Sequence, residues 1–232
     1  MPLADSIPWS TVPIAERLIW LSRFRRTVAS REDRLVNLIM LETRKPRHEA
    51  LLHDLAPFLG ACTWLEGRAA GLLAPRVLRG GPFWLLGTRV VERRAALGKV
   101  AIIATWNYPV YLLGVQLIQA LVAGNSVVVK PSERCPRTQL YLLQLAFDAG
   151  LPPGVLSWVG HGREVGANLL TTQRFDHVIF TFSSPNKVGQ GVSPDLIRKK
   201  QNRHGVGAAS RNSGGARDPT AKGDGIHSYR RR

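Results

Sequence analysis

Lys130 and Glu133 follow an apolar run, Ser126 to Val129, that reads as a strand buried on both faces. Ligands of open α/β sheets bind just past the carboxyl ends of strands, where a lysine and a carboxylate three residues apart can hydrogen-bond vicinal hydroxyls. The competing reading is a solvated ion pair worth about 0–1 kcal/mol, and spacing alone favours it. Asn107 follows a similar run, Val100 to Ala104, and an asparagine there can simply close a strand-to-helix turn. Two thiols are possible nucleophiles. Cys62 falls on the apolar face of a helical pattern and reads as a core residue. Cys135, in Glu-Arg-Cys-Pro-Arg, has basic neighbours able to lower its pKa.

These residues need a scaffold, and the spacing of apolar side chains outlines one. From Pro13 to about Ala74, apolar residues recur at helical intervals (Ile14, Leu18, Leu21 and Val28, then Leu51, Leu55, Phe58, Cys62 and Leu65), which predicts two or three amphipathic helices. Arg79-Gly-Gly-Pro82 punctuates their end, and Phe83 to Glu92 reads as extended. After Gly98 short apolar runs alternate with helical stretches. Strands are expected at Val100–Ala104, Ser126–Val129, Val155–Val159 and His177–Thr181. Helices are expected at Pro109–Ala123, Pro136–Ala149 and Glu164–Leu170. The fold class is therefore α/β, with N-terminal helices followed by a Rossmann-type parallel sheet. Residues 1–97 hold the helices and extended segment, residues 98–182 the βα core, and residues 183–232 a tail.

The tail differs in kind. The chain carries a formal net charge of +16, and residues 183–232 contribute half of it, with eleven Lys and Arg against three Asp. They also hold eight Gly and one aromatic, Tyr229, too little apolar surface to offset ordering entropy. A disordered basic tail is expected, able to meet nucleic acid only non-specifically through phosphates. The two cysteines are too few for a disulfide framework, and the six histidines lack ligand spacing, so no metal site is expected. No apolar stretch is long enough for a membrane span, and a cytoplasmic location is the default expectation.

As an ordered set, several segments resemble the aldehyde dehydrogenase family: Thr105-Trp-Asn-Tyr-Pro109, Ala123-Gly-Asn-Ser-Val-Val-Val-Lys-Pro-Ser-Glu133, Ala149-Gly-Leu-Pro-Pro-Gly154, and Phe175-Asp-His-Val-Ile-Phe-Thr181. Glu42-Thr-Arg-Lys-Pro46 is similar to the family's Glu-Thr-Gly-Lys-Pro, with Arg44 in place of glycine, and Thr105 stands where the family commonly has proline. The resemblance implies NAD as cofactor and a small aldehyde as the substrate of intact relatives. It implies that Lys130 and Glu133 hold the adenosine ribose, with Glu133 favouring NAD over the 2′-phosphorylated cofactor. It also implies that Trp106, Gly162, Gly166, Phe180 and Ser183 line the cofactor, and that the Asn107 amide stabilises the oxyanion formed on thiolate attack. Ile103 is expected to pack beside the cofactor. Phe182 occupies a glycine position, where a bulky side chain obstructs backbone approach to the pyrophosphate.

Neither cysteine matches the family's nucleophile, and no glutamate-bearing Leu-Glu-Leu strand follows Phe182. A chain that ends early and lacks activity is therefore expected, with oligomerisation not expected in the absence of the catalytic domain. Its alternative is a non-catalytic nucleotide- or nucleic-acid-binding module using the basic tail. Back-translating Gln201 to Ala208 one base out of frame permits Lys-Ile-Ala-Thr-Val-Leu-Glu-Leu, which suggests a shift of reading frame after Phe182.

Overall fold

The computed structural model describes residues 8–78, 90–182 and 225–228. Four helical segments come first: α1 (Ile14–Ser30), α2 (Glu32–Thr43), the single turn α3 (Arg47–Glu49) and α4 (Ala56–Leu73). A π-helical turn, Ala50–Leu55, joins α3 to α4. A two-stranded antiparallel ribbon follows, β1 (Arg76–Leu78) with β2 (Val90–Glu92). The core then alternates: β3 (Lys99–Ile103), α5 (Tyr111–Val122), β4 (Ser126–Lys130), α6 (Pro136–Asp148), β5 (Leu156–Trp158), α7 (Arg163–Thr172) and β6 (His177–Phe182).

The strands form one sheet in the order β5-β4-β3-β6-β7, parallel except at its last member. Val100, Ile102, Val127 and Val129 share a single hydrophobic core with the N-terminal helices, α5 and α6. Ile103 and Val128 point to the other face, where Leu169 of α7 covers them. Burial on both faces explains why these strands read as unbroken apolar runs rather than alternating ones. The N-terminal helices pack through an aromatic series, Trp9 to Trp20, Phe24 and Phe58, with ring centroids 5.4–6.2 Å apart. Gly114 lets α5 approach α4 closely, since a Cβ there would stand 2.5 Å from the Phe58 ring.

Gly124 and Gly150, just past α5 and α6, have φ of 89° and 92°, the left-handed conformation that ends helices and that glycine adopts without strain. Arg44 does the same after α2 at φ 59°, at the position where the resembling motif has glycine. No described helix is long and apolar enough to cross a membrane.

Two expectations fall partly outside the described residues, namely the extended segment before Val90 and the disordered tail. Within that tail, however, Gly225–Ser228 form β7, antiparallel to β6 from Ile179 to Phe182. The edge of β6 offers unpaired backbone groups that a further strand can satisfy whatever its side chains.

Candidate functional site

Two loops leave the carboxyl ends of the central strands side by side, one from β3 to α5 and one from β4 to α6. Ile103 and Lys130 are register partners, and the Ala104 amide donates to the Lys130 carbonyl at 3.0 Å. The loops therefore diverge from adjacent points.

In the second loop Lys130 is only 4% exposed, and its Nζ donates to Glu133 Oε2 at 3.1 Å. The Glu133 side chain is 42% exposed. An ammonium this deeply buried is not the solvated ion pair that spacing alone favoured. Among the described residues Glu133 is the hydrogen-bond partner of its Nζ, which has three protons to donate. Gly162 caps the N-terminus of α7, and Gly166 is buried one turn in. Phe180 pairs with Ile103 in register and packs in the cluster of Ile103, Val128 and Leu169. Ser183 lies outside the described residues.

In the first loop Trp106, Asn107 and Tyr108 are exposed. The Arg134 guanidinium sits 4.5 Å from the Trp106 ring centroid, a cation–π contact joining the two loops. Thr105 Oγ1 donates to Asn107 Oδ1 at 2.9 Å, and Lys45 Nζ donates to the Asn107 carbonyl at 2.5 Å while lying 3.8 Å from the Tyr108 ring centroid. Gln139, buried on α6, donates through Nε2 to the Thr105 carbonyl at 2.7 Å and accepts from the Ser132 amide at 2.7 Å. One side chain thus ties both loops together.

Two acidic residues from the N-terminal helices complete the support. Asp54 Oδ1 accepts from the amides of Val110 and Tyr111, the start of α5, at 2.9 and 2.6 Å. Burial pushes its carboxyl up to about 6 against those two hydrogen bonds and the nearby Lys45, and Oδ2 has no partner among the described residues. Glu42 accepts from the amides of Arg137 and Thr138 and from the Thr138 hydroxyl, at 2.9, 2.8 and 2.6 Å, capping α6 from 95 residues away. Sequence reading found Glu42 and Lys45 only as parts of one motif and missed Asp54 and Gln139 as supports.

The expectation for Cys135 is corrected. Its thiol is buried and hydrogen-bonded to the Trp106 carbonyl at 3.7 Å, and burial pushes its pKa up to about 12. Basic neighbours in sequence do not lower it, because Arg134 turns away onto Trp106. Cys62 is equally buried, with its thiol also pushed up to about 12.

Functional loops gathered at the carboxyl edge of a parallel sheet covered by helices are the arrangement of Rossmann-type α/β proteins. The chain belongs to the aldehyde dehydrogenase family, whose sequence pattern matches residues 4–204. That match continues past Phe182, correcting the expectation that family signal stops there. The chain is 37% identical over 174 residues to the 4,4′-diapolycopene aldehyde oxidase of a Methylomonas species, covering 75% of this chain and 32% of that one. It is 34% identical over 178 residues to the betaine aldehyde dehydrogenase of Vibrio vulnificus, covering 76% and 35% respectively. Among solved structures, methylmalonate-semialdehyde dehydrogenase from Oceanimonas doudoroffii matches with a TM-score of 0.73 at 29% identity, over 84% of this chain and 38% of that one. The Mycobacterium tuberculosis aldehyde dehydrogenase complexed with NAD+ matches with a TM-score of 0.65 at 30% identity, over 72% and 33%. The chain spans about a third of the length of the curated relatives it matches.

Proposed function

We propose that this chain binds NAD at the carboxyl ends of β3 and β4 and that these 232 residues do not by themselves oxidise aldehydes. The observation carrying the first part is the buried Lys130 beside a partly exposed Glu133. A ribose diol offers an acceptor to the ammonium and a donor to the carboxylate, which fits this pair. Trp106, Gly162, Gly166, Phe180 and Ser183 would surround the rest of the cofactor. NAD bound in such a site supplies a hydride acceptor for aldehyde oxidation. Asn107 would hold the oxygen of the substrate carbonyl.

The second part rests on the thiols. A nucleophilic cysteine must reach its thiolate near neutral pH, and burial holds both Cys62 and Cys135 far from it. Calorimetry with NAD and AMP, together with an assay of NAD reduction against short, long and aromatic aldehydes, tests the proposal. Binding without turnover is expected. Turnover that survives repurification and disappears in Cys135→Ser would overturn the second part, and absence of any nucleotide binding would overturn the first.

A further inference from the structure

We propose that Thr105 is a positioning residue for Asn107, holding its side-chain carbonyl so that the amide N–H groups are the end presented to an anionic oxygen. This rests on the reading of Asn107 as an oxyanion donor.

An asparagine amide has ends of nearly equal shape and opposite polarity. Only the nitrogen end stabilises an oxyanion, because the oxygen end repels it. An exposed amide with no fixed partner rotates between the two, so its value at a reacting centre depends on what holds it. Here the Thr105 hydroxyl donates to Oδ1 at 2.9 Å. Thr105 is itself held, since its carbonyl accepts from the buried Gln139. Lys45 holds the Asn107 main chain through its carbonyl. With the carbonyl end engaged and both neighbouring carbonyls held, Nδ2 is the end left unengaged on this exposed residue, with no hydrogen-bond partner among the described residues. The proline found at this position in the resembling motif has no hydroxyl, so the contact belongs to this chain.

Nuclear magnetic resonance of the 15N-labelled full chain tests this without cofactor or substrate. In wild type and Thr105→Ser, the Asn107 side-chain amide is expected to be clearly more ordered than that of the exposed Asn37. In Thr105→Val, which keeps the shape and removes the donor, its order parameter is expected to fall below roughly 0.6. Both Asn107 amide protons in wild type are expected to exchange with water as freely as those of Asn37, because Thr105 engages the other end. Unchanged order in Thr105→Val would overturn the proposal. So would protection of one amide proton in wild type, which would place the hydroxyl on the nitrogen. Should Thr105→Val fail to fold, the wild-type comparison with Asn37 decides, an equally mobile Asn107 overturning the proposal. Titration with acetate reads the underlying role separately. Movement of the Asn107 amide resonances supports an oxyanion site, and fixed resonances would remove that role whatever the order measurement shows.

Discussion

The loops after β3 and β4 start from paired residues and are held in opposite ways. The β4 loop carries its working pair within itself, since Lys130 and Glu133 are three residues apart and meet at 3.1 Å. The β3 loop presents Asn107 on an exposed tip whose main chain is fixed by Lys45, 62 residues earlier, and by Gln139, 34 residues beyond the Thr105 carbonyl it holds. Short-range pairing makes a site nearly self-sufficient. Long-range clamping makes it a function of the segments around it, and loss of Lys45 or of the π-turn residue Asp54 should reach Asn107 before it reaches Lys130.

The strongest way to break this contrast is at Glu42. Glu42→Ala leaves the start of α6 without its acceptor, and because the amide and hydroxyl of Thr138 both lose a charged partner, roughly 3 kcal/mol of stability is expected to go. Urea denaturation measures it, and a loss under about 0.5 kcal/mol, the scale of an ordinary surface substitution, would show that water replaces the carboxylate.

Asp54 gives a pH test of similar or smaller size. Its folded-state pKa, about 6, lies above the ordinary 3.8, so the folded state holds the proton more tightly than the unfolded one. Its contribution to stability is therefore greatest below about pH 4, declines as pH rises towards 6 and is level above that, a span on the order of 2–3 kcal/mol. Asp54→Asn is expected to flatten that decline, and an unaltered profile would assign the slope to other groups. Amide hydrogen exchange on the same variant is expected to show faster opening at Val110 and Tyr111 than at Val128 and Val129.

Arg44 offers the smallest effect and the opposite sign. A left-handed conformation costs a residue with a Cβ about 1–2 kcal/mol, so Arg44→Gly is expected to raise stability by about 1 kcal/mol, seen as a higher Tm. A lower Tm would mean that the arginine side chain compensates for its backbone.

These contrasts also explain what was legible in the sequence. The strands from β3 to β6 and the helices between them fell within one or two residues of their expected bounds, because apolar runs buried on both faces and glycines such as Gly124 and Gly150 leave local marks. Lys130 and Glu133 were legible as a pair for the same reason. Their burial was not, since it depends on neighbouring strands and loops. Glu42, Lys45, Asp54 and Gln139 act across 30 to 96 residues on main-chain groups, and no local pattern distinguishes an acid that caps a distant helix from one in water. Cys135 misled because its basic neighbours in sequence are not its neighbours in space.

The central claim is that Lys130 and Glu133 hold the ribose of NAD, and titration calorimetry of NAD into wild type and Lys130→Ala tests it most directly. Wild type is expected to bind, and Lys130→Ala to bind at least tenfold more weakly, a difference of about 1.4 kcal/mol, while keeping its circular dichroism spectrum. Equal affinity in the two proteins, both folded, would contradict the account and return Lys130 to a structural ion pair.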